Sequence, residues 1–226
     1  MQHSTFRRYL GIFVPVAVVA IAGAVVVGFS GRGDSRNAHA NNHTQNSDSA
    51  IAFRNDVRKL WEDHVTWTRL AIIAIADGRP EQGATVDRLL QNQTDIGNAI
   101  KPYYGDAAGN QLTALLRDHI VTAAEIITDA KAGNTAGVND AKARWYANGD
   151  AIATLLNGAN PQQWPLDHMK QMMREHLDLT LAEAVAHLSA DWPADVVAYD
   201  RVHTAILSMA DMLSLGIINQ FPKQFR

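Results

Sequence analysis

The sequence predicts an all-α protein: an up-and-down antiparallel bundle of about six helices, preceded by one N-terminal transmembrane helix. Three observations predict it. Apolar residues recur at i, i+3, i+4 and i+7 through segments of roughly 20–27 residues, the amphipathic helix signal. Helix-breaking residues punctuate those segments at short intervals. No alternating, strand-like run occurs in the chain. Short links between consecutive long helices make neighbours antiparallel.

The elements follow in order. Residues 10–29 are uncharged and nearly all apolar, and Arg7 and Arg8 precede them. A helix of that length covers about 30 Å, enough to cross a bilayer core. Pro15 and Gly23 are tolerated in such spans. We therefore expect residues 1–8 as a cytoplasmic amino terminus, 9–30 as a transmembrane signal anchor and 31–50 as a flexible linker rich in Gly, Ser and Asn. Residues 51–226 form the bundle domain, outside the cytoplasm and tied to the cell membrane by the N-terminal helix. The alternative is cleavage near Ala40, at Ala38-His39-Ala40, which would release the domain.

Within the domain, Asp77-Gly78-Arg79-Pro80 separates the first two helices. Tyr104-Gly105-Asp106 closes the second and opens the third. Gly133-Asn134-Thr135 ends the third and caps the fourth, Gly158 to Pro165 is a loop, and Asp191-Trp192-Pro193 opens the sixth.

Composition narrows the function classes. The 226 residues carry a net charge of −3, from 20 basic and 23 acidic side chains, and no cysteine. The last point excludes a disulfide scaffold, a cysteine nucleophile and thiolate zinc sites. The near-neutral charge argues against a nucleic-acid partner. There is no GxSxG, P-loop or strand-linked GxGxxG, and no catalytic residue is assigned.

A repeat does emerge. Glu62-Asp63-His64-Val65, Arg117-Asp118-His119-Ile120 and Arg174-Glu175-His176-Leu177 share a pattern of charge, acid, histidine and aliphatic, at spacings of 55 and 57 residues. Arg88, Asn92 and Ile96 match Arg144, Asn148 and Ile152 at an offset of 56, and a similar step from Asn148 reaches His203. The domain therefore reads as three pseudo-repeated helical hairpins of about 56 residues each. His64, His119, His176, His203, Asn92 and Asn148 all interrupt apolar seams near the middle of their helices. We expect a buried polar layer across the bundle, with Asp95 and Trp67 among its ligand-binding residues.

Leaving such groups unpaired costs about 1–3 kcal/mol each, so something must satisfy them. One answer is mutual hydrogen bonding that fixes helix register. The other is a metal on His64, His119, His176 and His203, in a site suited to Zn, Fe or Cu. Neither HExxH nor the paired ExxH of di-iron bundles is present. His168, Met169, Met172, Met173 and His176, with Met209 and Met212, form a second cluster soft enough for copper, although methionine more commonly fills gaps in cores.

Leu60-Trp61-Glu62-Asp63-His64-Val65-Thr66-Trp67-Thr68-Arg69, Arg88-Leu89-Leu90-Gln91-Asn92-Gln93-Thr94-Asp95-Ile96-Gly97, Lys101-Pro102-Tyr103-Tyr104-Gly105 and Gln220-Phe221-Pro222 stand across the domain. In these segments it resembles an uncharacterised family of small bacterial all-helical proteins, over about residues 51–226. The resemblance implies a bacterial source and a helical fold, and supplies no catalytic residues. Some members are labelled glycosyltransferase; this chain has neither a DxD motif nor a nucleotide-binding α/β pattern.

Three functional readings follow. The first is a membrane-tethered extracytoplasmic binding module whose His/Asn layer takes a metal or small ligand. The second is a structural or protein-interaction bundle whose layer only fixes register. The third is a metal-dependent enzyme of unknown reaction.

Overall fold

A computed structural model describes residues 47–226. The anchor expected at 9–30 and all but the end of the expected linker lie outside the described residues. The first helix begins at Asp48, inside the stretch expected as linker, because the Ser47 hydroxyl accepts the Ala50 N–H at 3.3 Å and starts it.

The described residues are all-helical and contain no strand. Five helices follow one another: α1 (Asp48–Asp77), α2 (Gln82–Ala132), α3 (Thr135–Ala159), α4 (Leu166–Leu188) and α5 (Trp192–Gln220), with a short 3₁₀ turn at Pro222–Phe225. Several expected boundaries hold for the expected reasons. The Asn134 side chain accepts the Gly137 N–H at 3.1 Å and caps α3. Asp191 accepts the Ala194 N–H at 3.1 Å and caps α5, with Pro193 in its first turn. Pro80 sits in the turn before α2.

The helix count differs from the expected six at one place. Helical structure is continuous from Gln82 to Ala132, except that Gly105 adopts φ 81° and ψ 168°, outside the helical region. That residue turns α2 back on itself. In a straight helix Gly97 and Gly109 would stand about 18 Å apart. Here a Cβ on Gly97 would fall 2.6 Å from the Gly109 carbonyl oxygen, so the two arms touch backbone to backbone. We call the arms α2a (82–104) and α2b (106–132).

Cross-helix contacts fix the directions. Along α1 and α5, Arg58 meets Asp211, Glu62 meets His203, Thr66 meets Tyr199 and Arg69 meets Asp195, an antiparallel ladder. Each helix packs on the next, and α5 returns to α1, closing the bundle. Its main core includes Trp61, Val65, Leu116, Trp145, Ile152, Trp164, Met169 and Ile206. Among the described residues only α5 is long and apolar enough to cross a membrane, at a mean hydropathy of 1.3. Half of that stretch is buried inside the bundle, as a core helix would be.

Candidate functional site

Three helices bring three histidines together in the middle of the core. His64 from α1, His119 from α2b and His176 from α4 are 2%, 3% and 4% exposed. The His176 ring lies between the other two, 5.7 Å from the His64 ring and 6.4 Å from the His119 ring, centre to centre. Trp61 stands edge-on to His64 at 5.5 Å and Trp145 lies 5.0 Å from His119.

Burial sets the charge of the cluster. Taking an imidazolium out of water disfavours it, and neighbouring rings add repulsion. Burial, then the proximity of His119, brings His64 down to about 3, with Gln93 opposing. Burial brings His119 down to about 4, with Asn148 opposing. His176 falls well below the ordinary value through burial and then its two histidine neighbours. All three rings are neutral at pH 7.

Hydrogen bonding assigns one tautomer. The Asn148 amide nitrogen donates to the Leu115 carbonyl at 3.0 Å, which turns its oxygen toward His119 Nδ1 at 2.9 Å. His119 therefore carries its proton on Nδ1 and keeps Nε2 as an acceptor. Asn92 donates to the Leu60 carbonyl at 3.0 Å, a like bond 55–56 residues earlier in the chain. Gln93 donates to the Leu89 carbonyl at 2.8 Å and the Asn92 oxygen at 3.1 Å. Four buried polar atoms in and beside this layer make no hydrogen bond of normal geometry: His64 Nδ1, His176 Nδ1, Gln93 Oε1 and Trp145 Nε1, although Gln93 lies near enough to His64 to favour its charged form. Thr68 and Thr180 bond back to the carbonyls of His64 and His176. With Trp145 they border a small apolar cavity of about 40 Å³.

His176 also lines an open groove of about 780 Å³ between α4 and α5. The layer is thus sealed on most sides and approached from one.

Four expected positions behave differently. His203 is not in the layer. Its side chain is 34% exposed, with Nε2 3.1 Å from Glu62 at the surface where α5 meets α1. Asp95 is half-buried and accepts from Gln91 within its own helix at 3.0 Å. Trp67 is half-buried, packs on Ala71, Leu89 and Ile120, and carries the Arg88 guanidinium 5.1 Å above its ring. Asn92 reaches the layer, but its amide is spent on Leu60 and Gln93. The reason is common to His203 and Asp95: each lies at the edge of its apolar seam, where a modest rotation of the helix decides between core and surface. Among the described residues no group of three or more histidine or carboxylate side chains is placed to hold a metal ion, and His203 stands apart from the other three histidines.

Gln93, fully buried, and a second polar cluster were missed. At the far end of the bundle Arg69 bonds Asp195 at 2.8 and 3.1 Å and Glu183 at 2.8 Å. His187 bridges Asp195 and Asp77, at 3.2 Å each. Asp195 is 4% exposed and Glu183 1%. Burial raises Glu183 to about 7 despite Arg69. Burial also pushes on Asp195, but Arg69 and His187 outweigh it and hold this carboxyl below its ordinary value. The guanidinium is thus committed chiefly to Asp195. The cluster ties α1 to the α4–α5 turn and reads as a structural clamp. Only Asp77-Gly78 and Asp191, the breakers beside it, marked this end in the sequence.

No protein-family model matches the chain, no curated protein matches it, and no solved structure matches its fold.

Proposed function

We propose that the protein is a membrane-tethered, extracytoplasmic binding module whose ligand enters between α4 and α5 and engages the neutral histidine layer through His176. One observation carries this reading. Polar atoms of His176 and Trp145 lie unpaired in one buried layer, beside a His64–Gln93 pair that makes no hydrogen bond of normal geometry, and His176 also lines an open groove. Orphaned buried groups are rare in folded chains, and a shared ligand accounts for several at once. A neutral imidazole offers one donor and one acceptor, so it suits either a polar small molecule or a metal ion. The uncharged, apolar run over residues 10–29 supports the tethering, and the Asn92–Leu60 and Asn148–Leu115 bonds, which lie 55–56 residues apart in the chain, support the layer.

Those two bonds also favour the second reading, in which the layer fixes register and binds nothing, since each locks a helix to its predecessor. Native mass spectrometry and elemental analysis separate the two readings. The full chain, extracted in detergent without a metal-affinity tag, is expected to carry one stoichiometric bound component that His176→Leu loses. A bare wild-type chain with the mass of its residues alone contradicts the binding reading.

A further inference from the structure

The turn between α4 and α5 is built around a histidine whose two ring nitrogens both face carboxylates. His187 stands buried at the end of α4, with Nδ1 3.2 Å from Asp195 on α5 and Nε2 3.2 Å from Asp77 at the end of α1. A neutral imidazole has one donor and one acceptor, so it donates to one of these oxygens and turns a lone pair on the other. Only the imidazolium donates to both. The bridge is therefore complete when His187 is protonated, and half of it becomes a repulsion when the proton leaves. Asp77 is exposed, which gives the buried ring a path to water.

The surrounding charges need that proton. Arg69 of α1 is shared between Asp195 and Glu183, and Arg79, in the turn before α2, takes the second oxygen of Asp77 at 2.9 Å. Lys131 of α2b is turned to the Ile75 carbonyl at 3.0 Å, and Asp191 caps α5. Three carboxyls, those of Asp77, Glu183 and Asp195, thus meet two guanidiniums, and His187 supplies the third positive charge. Raising the pH removes that charge and also ionises Glu183, which burial holds up to about 7.

The turn does not hold itself. It runs from Ser189 to Asp191, and Ala190 has φ 57°, a left-handed conformation that a residue with a Cβ adopts when its surroundings impose it. Among the described residues no other non-glycine residue has a positive φ. Trp192 packs edge-on against the His187 ring at 5.2 Å. The groove between α4 and α5 begins close by: Val197 follows Asp195 by two residues, and Leu179 precedes Glu183 by four. We propose that the Asp77–His187–Asp195 bridge is a pH-operated latch: protonated His187 holds the α4–α5 turn against α1, and loss of its proton frees the turn together with the adjoining end of the groove. Its bearing on access to the groove rests on the binding-module reading; the latch itself does not.

The test is hydrogen–deuterium exchange of the full chain in detergent at pH 6 and pH 8.5, with rates corrected for the intrinsic pH dependence of amide exchange. A proton bound only in the closed form shifts the opening equilibrium about tenfold per pH unit. Amides of residues 186–198 should therefore lose at least about tenfold in protection at the higher pH, while those of residues 112–127 in α2b hold theirs. Glu183→Gln keeps an oxygen for Arg69 and removes the second titrating group, so the response should persist in it. Adding His187→Gln to that variant should leave 186–198 equally protected at both pH values, with 112–127 reporting that the chain is folded. The parent and Glu183→Gln decide the matter even where the double variant fails to fold. Protection of 186–198 that is equal at both pH values in the parent, that falls together with 112–127, or that stops responding in Glu183→Gln alone overturns the latch, as does a response that survives in the double variant. None of these readouts involves a ligand, so failure here leaves the binding-module reading to its own mass and elemental analysis.

Discussion

His176 sits between two other imidazoles with no charge to offset theirs, and this arrangement dictates a pH response. Folded His64 and His119 titrate near 3 and 4, and His176 well below its ordinary value, against about 6.5 in the unfolded chain. Below pH 6.5 the unfolded chain takes up protons that the folded chain refuses, so stability falls as pH falls. Glu183 acts with the opposite sign. Raised from 4.5 to about 7, it keeps its proton when folded, so its contribution is present below 4.5 and is lost as pH rises to 7. Between pH 4.5 and 6.5 three histidines act against one carboxyl, and the histidines win. Each uncompensated proton is worth about 1.4 kcal/mol per pH unit. Urea unfolding should therefore show a loss of several kcal/mol between pH 7 and 4.5. Glu183→Gln removes the opposing proton and should steepen that loss. A stability that stays flat from pH 7 to 5 would refute the neutral buried layer.

The helices were largely legible because their ends are chemical. Asn134, Asp191 and Gly133 cap or stop helices by local hydrogen bonds and left-handed backbone, which need no tertiary information. Gly105 was recognised as a break, yet the helix continues on both sides of it without a loop; only the tertiary contact of Gly97 with Gly109 turns a break into a reversal. This separates two substitutions. A Cβ on Gly105 meets nothing within 4 Å, so Gly105→Ala suffers only the positive φ of 81°, at about 1–3 kcal/mol. A Cβ on Gly97 would lie 1.9 Å from Thr113 Oγ1 and 2.6 Å from backbone oxygen, which cannot move cheaply. Gly97→Ala should cost more than Gly105→Ala. Thermal unfolding followed by circular dichroism gives the order, and the reverse order would contradict the packed reversal.

Taken as one molecule, the bundle is pinned at one end by the Arg69, Asp195 and His187 clamp and interrupted in the middle by the histidine layer. The layer was legible because it repeats: His64, His119 and His176 recur on seams. His203 also recurs, yet it faces Glu62 at the surface, because spacing fixes height along a bundle and not rotation about a helix. Glu183, Asp195 and Gln93 carry no repeat and no motif, and their burial comes from partners on other helices. The clamp predicts that Asp195→Ala, by leaving Arg69 and His187 without their shared carboxylate, costs about 3–5 kcal/mol in urea unfolding. A cost under about 1 kcal/mol would contradict the clamp.

The central claim is that His64 and His176 serve a ligand and not the fold, and the most direct measurement is the stability of their leucine variants at pH 7 without added ligand. Replacing an unpaired buried polar group by an apolar one of similar size is neutral or stabilising. His64→Leu and His176→Leu should therefore unfold at or above the parent's urea midpoint, while His119→Leu, which strands Asn148, should lose about 1–3 kcal/mol. Losses of that size in the first two variants would show that the fold itself depends on these imidazoles and contradict the account.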